Sequence, residues 1–578
     1  MPVSRYISGI SLGLAIVAFL LGMYGFSTAF PDRSWDTNVV NTWRLYLVDY
    51  DLGEDYAPLE KIPWPLAVAR LLAPISLILG AAWALLCAIG DAGNRILLKF
   101  ATGHVVIAGS GSLLGRLCRD EGTLCRRVVA IVPTIDEVQS RRLARRRIAF
   151  VVGEINDPRT LERAKAHRAT HLVSLADRDT DNAHCIIEAI RLAGEKRSAP
   201  EPLHCYAHVV DRRLRAAFNE NATFQNTTDR AEIYLFSQFE ATARHALLDY
   251  PLEVDTGGSV HPRPRLILLG CGDEARAFFL HAARMAHFGT LEKLPITWLA
   301  VDAATLATSI EHQFPFYRNA VDCEFVDVLT EGPESYAIAL SEEAPPPGDA
   351  FSTIVCALDS DSDNFILAQY LQSAIGSPQT CRILVHAIGD SDVAQLIQTL
   401  DKEGTPETRA IGQPELVGSW KAITQSDLEP TARAIHEHYI EGELSRLKGN
   451  AVENPSLVSW AKLPELKRDQ NRFQGDHLPV KLRAIGLDMS VRHDSDQLTE
   501  ALEKNRDRLA EMEHRRWNAA QWLAGFKHGE PRNDDKKIHP SLKDWDALSP
   551  AEQAKDFEAI DAIPAILKRV QAQPPGDG

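Results

Sequence analysis

The stretch His104-Val-Val-Ile-Ala-Gly-Ser-Gly111 decides the fold of the larger, polar part of this chain. The apolar run Val105–Ala108 predicts a buried strand, and the glycines after it predict a tight turn into a helix. Glycines at such a turn let the backbone approach a phosphate group, and the amino end of the helix favours negative charge. A second apolar run, Val128–Val132, predicts the neighbouring strand. The pattern is typical of an α/β unit with a parallel sheet.

One position departs from the usual pattern of dinucleotide-binding units. Pro133 follows the second predicted strand, where an acid that binds the ribose usually stands, and Asp136 is the nearest substitute. We therefore expect this first unit to be mainly structural. Gly109 and Gly111 are kept as candidate cofactor-binding residues, since the turn itself is present.

The same pattern returns further along the chain. The run Leu266–Leu269 leads into Gly270-Cys-Gly272-Asp-Glu-Ala275, which matches G-x-G-x-x-A, and the next predicted strand, Ile296–Val301, ends at an acid, Asp302. The motif comes here with the strand before it, the helix after it and the acid in place, so we expect the second unit to keep more of a ligand site than the first. The candidate cofactor-binding residues are Gly270, Gly272, Asp273, Ala275 and Asp302.

Further motifs indicate that the two units arose by duplication. Asp177-Arg-Asp-Thr-Asp-Asn182 is echoed by Asp359-Ser-Asp-Ser-Asp-Asn364, and Glu240-Ala-Thr-Ala-Arg244 by Glu429-Pro-Thr-Ala-Arg433. Together with the glycine turns, the echoes have offsets of 161, 182 and 189 residues, which grow along the chain as expected if the second unit has longer connections.

The doubled unit resembles the TrkA-N/RCK family, the regulatory domains of potassium channels and transporters, over roughly residues 103–440. The strand-end pattern Val151-Val-Gly-Glu154 also fits, with Glu where the family usually has Asp. The resemblance implies Rossmann-like lobes that assemble face to face, often as a ring, and that sense nucleotides or ions. A homo-oligomer, with a tetramer as the expected form, and NAD(H) or another adenine nucleotide as cofactor are implied in the same way.

Two apolar stretches precede the soluble part. Tyr6–Phe30 and Leu71–Gly90 contain no charged residue, and each is about long enough to cross a hydrocarbon core as a helix, which takes about 20 residues. The first stretch is too long for the apolar region of a signal peptide, and no small-residue cleavage site follows it. We expect a two-pass protein of the inner (plasma) membrane, in contact with membrane lipids.

The loop from Ser27 to Leu66 is acidic, whereas Arg5, Arg95 and Lys99 flank the apolar stretches on their other sides. The positive-inside rule therefore places both termini in the cytoplasm and the loop outside. The layout resembles that of two-span ligand-gated potassium channels. A potassium filter uses a T-x-G-Y-G loop, which is missing here, so a selective potassium pore is not expected. Whether the loop re-enters the membrane stays open.

The carboxyl-terminal region has a different sequence pattern, which is mainly helical. Leu498, Leu502, Leu509 and Met512 form a helical stripe. Glu513-His-Arg-Arg-Trp517, Gly525-Phe526, Lys536-Lys-Ile-His-Pro540 and Leu548-Ser-Pro-Ala-Glu552 follow in order, and this order resembles the RyR domain, a small helical repeat named from ryanodine receptors. With the upstream segment the match covers about residues 455–572. Phe526 replaces a commoner Trp.

The RyR resemblance implies a nucleotide-type ligand. Tryptophan rings stack on bases, and basic side chains pair with phosphates. An equally weighted alternative is that the tryptophans are core residues and the basic residues are solvated. The candidate ligand-binding residues are Glu513, Trp517, Trp522, Arg532, Lys536, Lys537, His539 and Trp545.

Composition limits the function further. The net charge of −16 argues against nucleic acid as a partner, and the nine cysteines show no C-x-x-C pair or metal-ligand spacing, so no metal is expected. The expected architecture is α/β with a mostly α-helical end. Its predicted parts are a two-helix transmembrane region (1–100) with an extracytoplasmic loop (27–66), two Rossmann-like domains (101–255 and 256–445), a connecting segment (446–497) and an RyR domain (498–572).

These features favour a membrane-anchored, non-enzymatic sensor of nucleotides, in which the cytoplasmic domains control a ligand-gated ion channel or another membrane effector. RyR modules on membrane proteins imply, by family analogy, a role in anti-phage signalling. One alternative is a regulatory subunit that binds NAD or a nucleotide and gates a separate potassium or other ion transporter. An NAD-dependent oxidoreductase is the least favoured, since no Tyr-Lys, His or Cys constellation stands ready for a nicotinamide.

Overall fold

The structure is a computed structural model. It describes residues 3–49, 62–124, 126–220, 230–253, 263–290, 292–342, 350–375, 381–387, 391–401, 405–424, 429–447, 456–460, 463–489 and 491–572. The chain divides into two compact units, one of residues 1–107 with 127–169 and one of residues 108–126 with 170–578.

Two helices in the described residues are long and apolar enough to cross a membrane. They are α1 (Val3–Ala29) and α3 (Trp64–Lys99), with apolar windows at Ser11–Ala29 and Trp64–Ala81. The second window begins before the predicted stretch Leu71–Gly90, because α3 already begins at Trp64. Arg70 therefore falls inside the apolar window.

Small residues bring α1 and α3 together. A Cβ atom on Gly25 would lie 2.8 Å from Leu66, and one on Gly80 would lie 3.2 Å from the Ser11 hydroxyl. Such small residues are typical of closely packed membrane helices, where dispersion contacts rather than hydrophobic burial hold the pair. Ala18, Phe26, Leu66, Ala69 and Ala73 form the buried seam of the hairpin.

A third helix lies beside this hairpin. α2 (Trp35–Arg44) and the 3-10 turn Leu45–Leu47 follow the bend after α1 and run back alongside it. The Thr42 methyl lies 2.8 Å from a Cβ built on Gly22, Trp43 meets Phe19 edge-on at 5.8 Å, and the Tyr46 hydroxyl donates to the Ala15 carbonyl at 2.5 Å. Part of the predicted outer loop is thus packed against the apolar window of α1. Residues 50–61 of that loop lie outside the described residues.

The end of α3 is fixed to the first α/β lobe by polar contacts within one compact unit. The Lys165 ammonium donates to the Lys99 carbonyl, and the Gly103 amide donates to the Arg168 carbonyl at 2.9 Å. His104 bonds the Ala164 carbonyl through Nε2 at 2.9 Å. The junction between helix and sheet is therefore a docked segment.

The first lobe has a six-stranded sheet with the order β3-β2-β1-β4-β5-β6, the Rossmann arrangement. Its strands are β1 (Val105–Gly109), β2 (Val128–Val132), β3 (Ala149–Val152), β4 (His171–Leu175), β5 (Leu203–His208) and β6 (Ala231–Phe236). Its helices are α4 (Gly111–Leu117), α5 (Glu121–Leu124), α6 (Glu137–Arg145), α7 (Pro158–Arg163), α8 (Asp179–Lys196), α9 (Arg212–Glu220) and α10 (Gln238–Asp249).

The second lobe repeats this topology, with the order β12-β11-β10-β7-β8-β9 and parallel pairing throughout. Its strands are β7 (Arg263–Leu269), β8 (Leu294–Ala300), β9 (Val321–Asp327), β10 (Ala350–Cys356), β11 (Cys381–His386) and β12 (Glu407–Ile411). Its helices are α11 (Asp273–Met285), α12 (Ala303–Gln313), α13 (Pro333–Glu342), α14 (Asp361–Ala374), α15 (Ser391–Gln398), α16 (Pro414–Val417), α17 (Trp420–Thr424) and α18 (Glu429–Leu447).

The carboxyl-terminal region is mostly helical. It contains α19 (Glu465–Arg483), α20 (Ser495–Lys504), α21 (Arg506–Leu523), the short strands β13 (Lys527–His528) and β14 (Ile538–His539), a 3-10 turn at Trp545–Ala547, α22 (Pro550–Asp561) and α23 (Ile563–Ala572). The predicted stripe Leu498, Leu502, Leu509 and Met512 is buried as expected, but it belongs to two helices because the chain breaks at Asn505.

One hydrophobic core joins this region to the second lobe. Phe278 and Ala282 of α11 belong to the same buried cluster as Leu478 of α19 and Met512 of α21. α11 is buried along nearly its whole length, since helices pack on it from the carboxyl-terminal side as well as from the sheet. The predicted connecting segment therefore contains a core helix, α19.

Candidate functional site

The glycine turn of the second lobe requires glycine for steric reasons. Gly270 has a φ of 120°, and a Cβ there would lie 2.2 Å from the Ala357 carbonyl oxygen, just past the end of β10. Gly272 is the N-cap of α11, and its Cβ would lie 2.9 Å from Oδ1 of Asp359. The turn is thus pressed against the chain that leaves the neighbouring strand.

The first lobe shows the same contacts. A Cβ on Gly109 would lie 2.4 Å from the Leu175 carbonyl oxygen, and one on Gly111 would lie 3.4 Å from Oδ1 of Asp177. Ser110 also donates its hydroxyl to Asp177 at 3.1 Å. The repeated sequence motifs therefore occupy equivalent positions in the two lobes. In each lobe a carboxylate faces the second glycine of the turn.

A buried asparagine closes the loop after the fourth strand in both lobes. Asn182 accepts from the Ala176 amide at 2.7 Å and donates to the Ala176 and His208 carbonyls. Asn364 accepts from the Leu358 amide at 2.7 Å and donates to the Leu358 and His386 carbonyls. These bonds hold the loops that carry Asp177 and Asp359 at the carboxyl edge of each sheet.

A cleft of about 470 Å³ opens at this edge of the second lobe. Its lining includes four carboxylates (Asp273, Glu274, Asp359 and Asp361), and none of its described lining residues is Lys or Arg. Burial raises the pKa of the Asp273 and Glu274 carboxyls. Glu274 is in contact with His386, which also lines the cleft. Gln238 and Phe239 of α10 complete the wall from the first-lobe side.

The charge of this cleft limits its ligand. The amino end of α11 attracts anions, but a free pyrophosphate bound there would lie beside the carboxylates and be repelled by them. Ribose hydroxyls and base amino groups suit carboxylate acceptors, and a phosphate suits them when a cation accompanies it. The cleft therefore favours the nucleoside part of a nucleotide. Among the described residues, no group of three or more His, Cys, Asp or Glu side chains is placed to hold a metal ion.

The remaining predicted residues of the second lobe are placed differently. Ala275 is fully buried in α11 and belongs to the core cluster that includes Leu266 and Leu268 of β7. Asp302 has a φ of 55°, caps α12 by accepting from the Thr305 amide at 3.2 Å, and is exposed. It is not among the described residues that line the cleft. Its role towards a ribose stays a prediction.

Replacing Gly270 by alanine is expected to lower the free energy of unfolding by about 2–4 kcal/mol, because the new Cβ meets a backbone oxygen and the φ value is strained for an L residue. Chemical denaturation followed by circular dichroism measures the change. Gly194→Ala is the matched control: Gly194 has no atom within 4 Å of its Cβ position and is exposed on the surface of helix α8, so alanine there is expected to stabilise by about 0.5–1 kcal/mol. Equal effects at both positions would contradict the steric argument.

In the RyR region, Glu513 lies in a buried ion triad. Its carboxylate receives the Lys481 ammonium at 2.6 Å and the Arg516 guanidinium at 2.6 Å, and all three side chains are at most 6% exposed. Burial alone would raise its pKa, but Arg516 and Lys481 hold the pKa of Glu513 well below its usual value. The geometry gives Glu513 a part in joining α19 to α21, and contact with a ligand stays a prediction.

Three of the predicted ligand residues come together around a histidine of the RyR-like motif that was not among the candidate ligand residues. His514 stacks on Trp517 at 5.8 Å and meets Trp545 at 5.8 Å, and Trp517 meets His539 edge-on at 4.8 Å. His514 is buried, with Nδ1 at 3.2 Å from Asp556 and Nε2 bonded to the Lys543 carbonyl. Trp517 and Trp545 are only half-buried, so part of each ring stays available.

The predicted basic residues lie on the exposed turn between β13 and β14. Arg532 pairs with Asp534 at 2.9 Å, and Lys537, with a φ of 53°, donates its ammonium to the Ala524 carbonyl at 2.9 Å. Lys536 is exposed. Trp522 is half-buried and takes no part in the ring contacts around His514. The structure thus brings Trp517, His539 and Trp545 together and leaves the basic residues beside them on the surface.

Helix α19 connects all these parts of the second compact unit. Asp476 forms a bidentate pair with Arg244 of α10, with both distances at 2.8 Å, and Arg472 binds Glu429 of α18 at 2.6 Å. Phe473 lies under the Arg284 guanidinium of α11 at 4.1 Å, and Lys481 reaches Glu513 of α21. A single helix therefore touches the last helix of the first lobe, the cleft helix of the second lobe and the RyR region.

Comparison with known proteins agrees with the sequence at the level of domains. Residues 105–219 match the model of the TrkA-N domain, and residues 490–572 match the model of the RyR domain. The comparison with curated proteins finds no match.

Solved structures that resemble the chain include two of GsuK. The GsuK channel bound to NAD is 12% identical, with 76% of this chain and 82% of that chain covered at a TM-score of 0.36. GsuK bound to ADP is 14% identical, with 68% and 91% covered at a TM-score of 0.34. Similarity at this level does not by itself indicate a shared function.

Proposed function

We propose that this chain is a membrane protein in which a nucleotide-type ligand, bound by the second Rossmann lobe or by the RyR domain, controls ion flow through the apolar hairpin. The observation that carries the proposal is helix α19, which is in direct contact with the cleft helix α11 and with α21 of the RyR region. The expected cofactor or ligand remains NAD(H) or another adenine nucleotide.

The contacts of α19 supply a way for the two ligand regions to act together. α11 carries Asp273 and Glu274 of the cleft at its amino end and packs against α19 and α21 further along. A ligand shifts an equilibrium between two arrangements only by its difference in affinity for them. A movement of α11 on ligand binding has to be accommodated by α19, because close-packed helices do not deform continuously.

The chemistry of the two regions supports a divided nucleotide preference. The cleft offers carboxylates to ribose hydroxyls and amino groups. The RyR region offers half-buried tryptophan rings for stacking, with Arg532, Lys536 and Lys537 nearby in sequence for phosphates. We propose that a nucleotide places its base against Trp517 and Trp545 when it binds the RyR domain.

The test is ion flux from liposomes that contain the purified full-length protein. NAD, NADH, ADP and ATP are added separately, and at least one is expected to start or stop flux. Trp517→Ala is expected to remove the response to a ligand of the RyR domain, and Asp273→Asn to change the response to a ligand of the cleft. No conductance under any nucleotide in a well-folded oligomer contradicts the proposal.

Oligomer formation is part of the proposal, since a two-span hairpin alone encloses no pore. A homo-oligomer, with a tetramer as the expected form, would place several hairpins around one axis in the plasma membrane, with lipid around them and both termini in the cytoplasm. Native mass spectrometry of the purified protein reports the number of copies and the mass of any retained ligand together. A monomer without bound partners would contradict the pore.

A regulatory subunit of a separate ion transporter is the second candidate. The TrkA-N match supports it as well as it supports a channel, and co-purification of a polytopic membrane protein distinguishes the two. Catalysis is not part of the proposal, and turnover of NADH by the purified protein would contradict this. No contact in the described residues bears on the anti-phage role implied by the RyR resemblance, so the proposal is restricted to membrane conductance.

A further inference from the structure

We propose that Arg284 and Arg212 form a binding site for a small oxyanion of the phosphate class, at the point where helices α9, α10, α11 and α19 meet. All four helices belong to the second compact unit, and α19 is in contact with each of the other three. Arg284 lies in the last turn of α11, about 16 Å along the helix from Asp273, and neither arginine lines the acidic cleft. The site is therefore distinct from the cleft.

Arg284 is a buried charge without a protein partner. The residue is 6% exposed, and its Nε is buried with no hydrogen-bond partner among the described residues. Its guanidinium lies 4.1 Å from the centre of the Phe473 ring, and no described carboxylate forms an ion pair with it. The ring and the partial negative charge at the carboxyl end of α11 lower the cost of burial, but they do not neutralise a full charge. Buried charges in proteins are normally paired, so Arg284 calls for an anion.

The carboxylates within electrostatic reach of Arg284 already have other partners. They are Glu240 of α10 and Asp469 of α19. Glu240 accepts from Arg215 at 2.9 Å and from Arg212 at 3.0 Å. Asp469 accepts from an arginine one turn further along α19 at 2.8 Å. Neither carboxylate is left over to serve as the counter-ion of Arg284.

The charges at this junction are out of balance by one. The arginines are Arg212, Arg215, Arg244, Arg284 and Arg472, and the carboxylates are Glu240, Glu429, Asp469 and Asp476. Four carboxylates are thus set against five arginines, and Arg284 is the arginine that takes no part in the ion pairs. One small anion at Arg284 would balance the junction.

Arg212 supplies the second arm of the site. In the described structure it donates a hydrogen bond to Glu240 from Nη1, and its side chain is 27% exposed. A guanidinium carries five N–H donors in a planar fork, which matches the oxygens of a phosphate group. After burial, Arg212 is the strongest of the causes that lower the pKa of the Arg284 guanidinium. Two guanidinium groups in this relation, each with unused donors, are suited to a bridging oxyanion.

The position of the two arginines gives the anion a structural role. Arg212 begins the helix after β5 of the first lobe, and Arg284 belongs to the first helix of the second lobe. An oxyanion between them would join the two lobes by charge-assisted hydrogen bonds. Free inorganic phosphate and the phosphate group of a nucleotide share this chemistry.

Urea denaturation tests for the site. The full-length protein is purified in detergent without phosphate, and its denaturation is followed at increasing concentrations of inorganic phosphate, or of sodium chloride at the same ionic strength. Phosphate is expected to raise the urea midpoint until the site is saturated, because a ligand that binds only the folded state stabilises that state. An equal shift with chloride, or no shift with phosphate, overturns the proposal.

Arg284→Met separates an anion site from an ordinary structural arginine. The variant is expected to lose the phosphate shift and yet to be at least as stable as the parent in phosphate-free buffer, because methionine replaces an unpaired buried charge by apolar atoms. A structural arginine would instead lose stability in both buffers. A phosphate shift that survives in Arg284→Met overturns the proposal.

A second variant decides the question if Arg284→Met does not fold. Arg212→Gln leaves Glu240 paired with Arg215 and is expected to weaken the affinity for phosphate by at least about tenfold. Arg213→Gln is the matched control, because Arg213 is the next residue on α9 and its side chain is 75% exposed. It is expected to keep the full phosphate shift. Equal affinities in Arg212→Gln and Arg213→Gln overturn the assignment of Arg212.

Competition distinguishes the two sources of the phosphate group. Phosphate binding is measured by isothermal calorimetry in the presence of AMP or of adenosine. Competition by AMP but not by adenosine identifies the phosphate group of a nucleotide as a ligand, and phosphate binding that AMP leaves unchanged identifies the free ion. Competition by adenosine overturns the oxyanion assignment, because adenosine carries no phosphate.

Discussion

Glu513→Gln is expected to lower the free energy of unfolding by about 3–5 kcal/mol, because it leaves the Lys481 and Arg516 cations buried without their shared carboxylate. Glutamine keeps the shape of the side chain, so the loss comes from charge and not from a cavity. Urea denaturation of the full-length protein in detergent, followed by tryptophan fluorescence, measures it. Trp517 lies on the same helix and contributes to this signal with the other tryptophans of the chain.

The matched control is an exposed ion pair in the same region. Arg506 of α21 pairs with Asp561 of α22 at 2.5 Å, with side chains 40% and 52% exposed. Asp561→Asn is expected to cost less than about 1 kcal/mol, because water screens both charges before and after the change. A similar cost for the two substitutions would show that the buried triad adds nothing beyond a surface pair.

The triad also makes the contribution of Glu513 to the free energy of unfolding depend on pH. The folded-state pKa of Glu513 is depressed, so its stabilisation is complete above the unfolded pKa, which is near 4.3, and is lost as pH falls through the folded value. Lowering the pH from about 7 to about 5 should therefore leave the difference between parent and Glu513→Gln unchanged, whereas strongly acidic conditions should shrink it. A difference that already disappears by about pH 5 would contradict the assigned ionisation.

Asp476→Asn is expected to have a comparable effect, with a loss of about 3–5 kcal/mol, since the Arg244 side chain, only 14% exposed, then has no full charge opposite it. The pair joins the last helix of the first lobe to α19, so the substitution is also expected to weaken the nucleotide response in liposome flux more than nucleotide binding itself. Denaturation measures the loss of stability, isothermal calorimetry measures nucleotide binding, and liposome flux measures the nucleotide response, all on the same preparation.

A double variant separates the loss of charge from the loss of packing in the Asp476→Asn prediction. Arg244→Met with Asp476→Leu removes both charges and fills the space with apolar atoms, so it is expected to recover most of the lost stability. Arg213→Gln is the surface control, because Arg213 and Asp211 pair at 3.2 Å with side chains 75% and 40% exposed. Failure of the double variant to recover stability would indicate that packing and not charge is lost in Asp476→Asn.

The parts of the fold that depend on local pattern could be predicted from the sequence. Val128–Val132 is a strand with the predicted bounds, and Gly270 and Gly272 lie at a strand-to-helix turn as expected. The duplication was visible because the Asp-x-Asp-x-Asp-Asn tract repeats. The sequence did not reveal that Asp177 and Asp359, the first aspartates of these tracts, lie beside the second glycine of each turn. That contact depends on the order of the strands in the sheet.

The parts that depend on distant contacts were not predictable. Helix α19 carries many charged residues and resembles a solvated linker in sequence, and its burial follows from ion pairs such as Arg244 with Asp476, 232 residues apart. His514 belongs to the motif that resembles the RyR domain, but it was not chosen as a candidate ligand residue, because its partners Trp545 and Asp556 come from later segments of the chain. Helix α2 is short and largely polar, so hydropathy alone does not reveal that it packs against the apolar window.

The length of α3 has a consequence for the way out of the membrane. Its 36 residues correspond to about 54 Å of helix, whereas the hydrocarbon core takes about 30 Å. In the membrane protein that we propose, the surplus forms a stalk of about 24 Å between the bilayer and the docked end at Lys99. Ions that leave the proposed pore would then disperse sideways between neighbouring stalks. A channel of this kind would need no tunnel through its soluble lobes.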